Sequence, residues 1–136
     1  MHEFRTERRI EFADTDMGGI VHFSRYFVFM ETAEHLFLES LGSSVAMEID
    51  GRHIGWPRVA AQCEYKSPAR FGDVLTIDVR VKRKGGKSLT YEVGFSVDGR
   101  EVATGTMTSV CCVLEQGKEI SPIPIPASIA DRIEQA

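Results

Sequence analysis

From Ser24 to Leu41 apolar side chains recur at helical spacing: Tyr26, Met30, Ala33, Phe37 and Leu41. Phe27, Phe29, Leu36 and Leu38 widen that surface around much of the circumference, with Glu31, Glu34, His35 and Glu39 between them. A helix this apolar must be wrapped by protein on most of its sides. Gly42 fits its end, and Ser24 is a candidate N-cap, with His22 or Phe23 as alternative starts. At this spacing Glu31 could be buried; an exposed glutamate is the simpler expectation.

The rest of the chain supplies the wrapping. Phe4 to Phe12 reads as a strand. After a polar stretch from Ser43 to Gly55, strands are expected over Arg58 to Lys66, Val74 to Val81, Ser88 to Val97 and Glu101 to Leu114. Lys84-Gly85-Gly86-Lys87 and Asp98-Gly99 are hairpin turns. Pro122, Pro124 and Pro126 give an extended exit, followed by a short helix over Ala127 to Gln135. The sum is an α+β chain in which a twisted antiparallel sheet curls around one long helix. The edges of such a sheet are commonly managed by pairing with a second copy, so a homodimer or a dimer of dimers is expected.

The 136 residues fit one domain, 1–136, with enough chain to bury a core. The net charge is −4, and the longest basic cluster, Arg80 to Lys84 plus Lys87, is too small for a nucleic-acid footprint. Three cysteines, Cys63, Cys111 and Cys112, give no disulfide or zinc pattern and read as small buried hydrophobes. Cys111 and Cys112, adjacent in a strand, should point to opposite faces. Charged residues follow Met1 at once, and no apolar run approaches a membrane span. A cytoplasmic setting is the expectation.

The segment that carries chemistry is Phe12-Ala13-Asp14-Thr15-Asp16-Met17-Gly18-Gly19-Ile20-Val21-His22-Phe23-Ser24-Arg25-Tyr26. It places two carboxylates before a glycine turn that feeds a helix N-terminus. The first N–H groups of a helix lack internal acceptors and lie at the positive end of its dipole, where a carbonyl oxygen is polarised. A carboxylate just upstream could attack that carbonyl or deprotonate a water. Read bare, Asp14 and Asp16 could equally be turn and capping residues.

The run D-T-D-x-G-G-I-V-H-F-S-R-Y resembles the signature of the 4-hydroxybenzoyl-CoA thioesterase family, in particular its bacterial Tol–Pal-associated acyl-CoA thioesterase branch. Met30 to Ala33, Lys66 to Asp73, Lys87 to Leu89 and the cysteine-bearing last strand extend the likeness over nearly the whole chain. The resemblance implies a hotdog fold, an active site at a subunit interface and hydrolysis of an acyl-CoA thioester. It implies that Asp16 is nucleophile or general base, that the backbone N–H near Phe23 polarises the carbonyl, and that Asp14 is structural. Gly19 and Tyr26 would meet the substrate; Arg83, Lys84, Lys87 and Ser88 would lie near the pantetheine or the phosphates of coenzyme A. No metal and no separate cofactor are implied.

Where many members of that branch carry Tyr-His, this chain has His22-Phe23. The shift leaves His22 a candidate without a carried-over role. Val-His-Phe is also similar to thioesterases acting on dihydroxynaphthoyl-CoA, which raises an aromatic acyl group. Two other classes remain to be weighed: a hotdog enoyl-CoA hydratase using Asp16 and His22 together, and a non-catalytic acyl-CoA-binding module, which needs no carboxylate in its pocket.

Overall fold

The computed structural model describes residues 3–43, 47–49, 51–115 and 117–134. Strand β1 (Glu3–Arg9) leads through a 3-10 turn at Phe12–Asp14 to the long helix α1 (Arg25–Ser40). Strands β2 (Met47–Ile49), β3 (Arg52–Gly55), β4 (Arg58–Tyr65), β5 (Val74–Lys84), β6 (Ser88–Val97), β7 (Arg100–Val110), β8 (Cys112–Val113) and β9 (Ser121–Pro122) follow, then a short helix α2 (Ala127–Ala130). Five strands form an antiparallel sheet in the order β1-β5-β6-β7-β4; β2, β3, β8 and β9 form a smaller one. This is the α+β hotdog arrangement.

Period-two patterning builds the large sheet. Along β6, Leu89, Tyr91, Val93, Phe95 and Val97 are buried, and Ser88, Thr90, Glu92, Gly94 and Ser96 between them are not. Leu75, Ile77, Val79 and Val81 of β5 join the same face. Against it α1 lays Phe29, Met30, Ala33, Phe37 and Leu38, all fully buried. Loss of a large aromatic here costs about 3–5 kcal/mol. Gly105 leaves room for the helix against the sheet: a Cβ there would come within 2.5 Å of Met30 Sδ.

Several local expectations are corrected. The first strand stops at Arg9, because Ile10 N–H turns to Asp73 and the chain enters the 3-10 turn. The polar stretch from Ser43 to Gly55 contains β2 and β3, too short to register as periodic. The last strand breaks at Cys111, whose N–H goes to Lys87 O, so β7 and β8 belong to different sheets. Cys111 and Cys112 are both buried, as expected of small hydrophobes. Helix α2 is one turn long, and Gln135 lies outside the described residues. No described helix is long and apolar enough to cross a membrane.

Candidate active site

The two aspartates of the loop have separate fates. Asp14 is buried, accepting from the Glu11 N–H at 2.9 Å and from Arg25 Nη2 at 2.7 Å, with Arg8 Nη2 at 3.4 Å. Burial alone would raise its carboxyl. The Glu11 N–H and the Arg25 and Arg8 guanidiniums outweigh that and hold it below the usual carboxylate range. Its own carbonyl accepts the His22 N–H at 2.8 Å, which fastens the loop to the start of α1. Asp14 is thus a structural clamp.

Asp16 is exposed. Its Oδ1 accepts the Gly18 N–H at 2.8 Å, and its backbone closes a tight turn through Asp16 N–H to Ile20 O and Gly19 N–H to Asp16 O. One carboxylate oxygen is thereby oriented by the loop, and the other has no hydrogen-bond partner among the described residues. Gly19 has φ +77°, which favours glycine, and open space where a Cβ would stand.

Asp16 opens onto a cleft of about 510 Å³ shared with Ile20, Val21, Phe23, Tyr26, Tyr65 and the turn from Lys66 to Arg70. Antiparallel pairing of Ile20 with Arg70, and the Val21 N–H to Ala69 O bond, hold that turn against the loop. Tyr26 is buried beside the cleft, and burial pushes its phenol up to about 12.

The start of α1 leaves one backbone donor without an acceptor among the described residues. His22 C=O accepts the Arg25 N–H at 2.9 Å. In a trans peptide N–H and C=O point oppositely, so the Phe23 N–H points out of the helix N-terminus. It has no acceptor among the described residues. Asp16 and Phe23, the residue that carries this N–H, both line the one cleft.

Other expected site residues fall elsewhere. His22 stacks on Phe23 at 4.7 Å between ring centroids, its Nδ1 lies 2.7 Å from Ser24 Oγ, and it does not line the cleft. Ser24 precedes the helix but makes no side-chain cap. Arg83, Lys84, Lys87 and Ser88 sit at the far end of β5 and its hairpin. Lys84 Nζ is already engaged, donating to Ala130 O at 2.9 Å and Ile133 O at 3.0 Å. Glu31 is half exposed and faces Arg58. The buried helix carboxylate is Glu34, bonded by Ser109 and Arg58. The sequence offered no signal for that choice beyond helical spacing. Tyr65, in the cleft wall, was also missed; its position at the end of a strand gave no cue.

A family model described as the thioesterase-like superfamily matches residues 10–133. The chain belongs to that superfamily. As a thioesterase of the hotdog fold it is similar to a gentisyl-coenzyme A thioesterase, BH1999, at 33% identity and TM-score 0.82, over 93% of this chain and 98% of the other. It is 27% identical to a 1,4-dihydroxy-2-naphthoyl-CoA hydrolase of Synechococcus elongatus, over 91% of each. The 4-hydroxybenzoyl CoA thioesterase of Pseudomonas sp. strain CBS-3 shares the fold at TM-score 0.84 and 23% identity, over 97% of this chain and 99% of that one.

Proposed function

We propose that this thioesterase hydrolyses an acyl-CoA thioester to a carboxylic acid and coenzyme A, with Asp16 as the attacking carboxylate or general base and the Phe23 N–H as oxyanion site. The observation that carries the reading is that Asp16 and Phe23, whose N–H has no acceptor among the described residues, line one cleft. As general base, Asp16 takes a proton from water as the water oxygen bonds to the acyl carbon. The oxyanion then collapses, the C–S bond breaks and coenzyme A leaves as thiolate. As nucleophile, Asp16 forms an anhydride with release of the thiolate, and water hydrolyses it. A thioester carbonyl is already reactive, so a base and an oxyanion donor suffice.

The acyl group is an aromatic one. Phe23, Tyr26 and Tyr65 in the cleft wall support this, as do the aromatic acyl groups in the names of the relatives. The narrower likeness to the Tol–Pal-associated branch rests on the motif alone. The hydratase alternative needs Asp16 and His22 on one cleft, and His22 lies off it.

The working unit is a homodimer or homotetramer. Strands β1 and β4 are unpaired edges, and Val59 and Tyr65 of β4 are exposed apolar residues. The nine residue steps of β5 from Val74 to Arg83 place Arg83 roughly 30 Å from the Val74 end beside the catalytic loop. One chain therefore presents its basic hairpin far from its own Asp16, and a second subunit brings the two within reach of one coenzyme A.

A panel of acyl-CoA esters, read by release of free thiol, tests the function. Turnover fastest on an aromatic acyl-CoA is expected. No thiol release from any ester, or hydration of an enoyl-CoA without thiol release, contradicts it. Light scattering of active protein that shows monomer alone contradicts the assembly, which belongs to a cytoplasmic enzyme in this reading.

A further inference from the structure

We infer that Tyr65 is a positioning residue for the oxyanion site: its hydroxyl fixes the Phe23 peptide and with it the orientation of the Phe23 N–H at the cleft. This rests on the proposed role of that N–H. Tyr65 Oη donates to Phe23 O at 2.8 Å, across 42 residues of sequence. The N–H of the same peptide unit, that of Ser24, points to His22 Nδ1 at 3.3 Å. Both ends of the plane that follows Phe23 are therefore held.

The plane that precedes Phe23 is held by the Arg25 N–H on His22 C=O. The two anchored planes meet at the Phe23 Cα, so together they set its φ and ψ. Of the three restraints, those through His22 Nδ1 and the Arg25 N–H are local to the helix start. Of the three, only the Tyr65 bond comes from the sheet. Without it the Phe23 peptide is held by local bonds alone and can rock, and the N–H swings with it.

Tyr65 is built to hold still. It is the last residue of β4 and pairs with Ala103 of β7. Immediately after it, the Lys66 and Ser67 N–H groups both bond Val102 O. Its ring meets Tyr26 edge-on at 5.4 Å between centroids, and Tyr26 in turn meets Phe29 and Phe95 of the core. The hydroxyl is thus referenced to the rigid sheet. An oxyanion donor gains from such pre-organisation, because no reorientation is needed as charge develops.

Tyr65→Phe keeps the ring and deletes only the hydroxyl. Removing an oxyanion donor outright costs about 10²–10³-fold in kcat, so loosening one costs less, roughly 10-fold to 100-fold. That fall is expected in kcat with KM within about twofold of the parent, the pattern of a lost transition-state interaction. A merely structural role is separated by infrared spectroscopy of the thioester carbonyl bound to Asp16→Asn protein, which is expected to hold substrate while turning over slowly enough to record the band. The carbonyl band is expected below its position in free acyl-CoA. Adding Tyr65→Phe should return it most of the way with occupancy unchanged. A Tyr65→Phe enzyme with kcat within twofold of the parent overturns the assignment, as does an unchanged band in the double variant. No band shift even with Tyr65 intact overturns the oxyanion role of Phe23 itself, and the inference with it.

Discussion

The Gly18 N–H donates to Asp16 Oδ1 at 2.8 Å, and a Cβ on Gly18 would stand 3.2 Å from that same oxygen. The residue that orients the carboxylate therefore takes a side chain only if the carboxylate gives way. Gly18→Ala should displace Asp16 by a few tenths of an ångström while the fold persists. Misplacement of about 1 Å can cost 10²-fold, so a loss of roughly tenfold in kcat is expected, with little change in melting temperature. Steady-state kinetics beside a thermal melt check it; full activity would mean that Asp16 needs no such orientation.

Asp14 should behave oppositely. Asp14→Asn leaves Arg8 and Arg25 facing a neutral group in a buried position, at a cost of about 2–4 kcal/mol. The carboxyl is held below its ordinary 3.8 in the folded chain, so its stabilisation is fully present above that value. It is lost as pH falls through the lowered folded value. Denaturant unfolding from pH 6 down through and below 3.8 should show the parent beginning to lose this increment below that value and the variant lacking it throughout.

Glu34 carries the reverse sign. Burial pushes its carboxyl up, and the bonds from Ser109 and Arg58 only partly offset the push. Its favourable contribution is fully present below the ordinary 4.5 and is lost as pH rises through the raised folded value. Glu34→Gln should flatten that part of the stability profile. It should also cost about 1–3 kcal/mol at low pH, where an imperfect amide replaces the buried carboxyl. A profile with the same slope above 4.5 in parent and variant would contradict this.

The basic hairpin divides by the same logic. Lys84→Ala forfeits two charge-assisted bonds to the carbonyls of Ala130 and Ile133 and should lower stability by about 1–3 kcal/mol while leaving KM alone. Arg83→Ala with Lys87→Ala should raise KM several-fold, most at low ionic strength, with kcat preserved. Unchanged KM at low salt would make these two residues a solvated strand end.

The fold was legible where periodicity was long. The alternation of β6 and the apolar girth of α1 stand in the sequence as they stand in the structure. What stayed hidden depends on contacts between distant residues. The break at Cys111 is set by Lys87 O, and the burial of Glu34 rather than Glu31 by Ser109 and Arg58. In the site, the D-x-D-x-G-G segment marked the loop. Only geometry separates a clamped Asp14 from an open Asp16, removes His22 from the cleft and brings Tyr65 to the Phe23 carbonyl.

The most direct test is kcat of Asp16→Asn against that of Asp14→Asn on the best thioester, with folding checked by circular dichroism. The substitution at Asp16 keeps shape and removes charge and basicity. The account predicts that it folds, binds acyl-CoA and loses roughly two to four orders of magnitude in kcat, while folded Asp14→Asn retains most of its turnover. If Asp16→Asn turns over within tenfold of the parent, or if Asp14→Asn is the dead variant, the catalytic carboxylate has been misassigned.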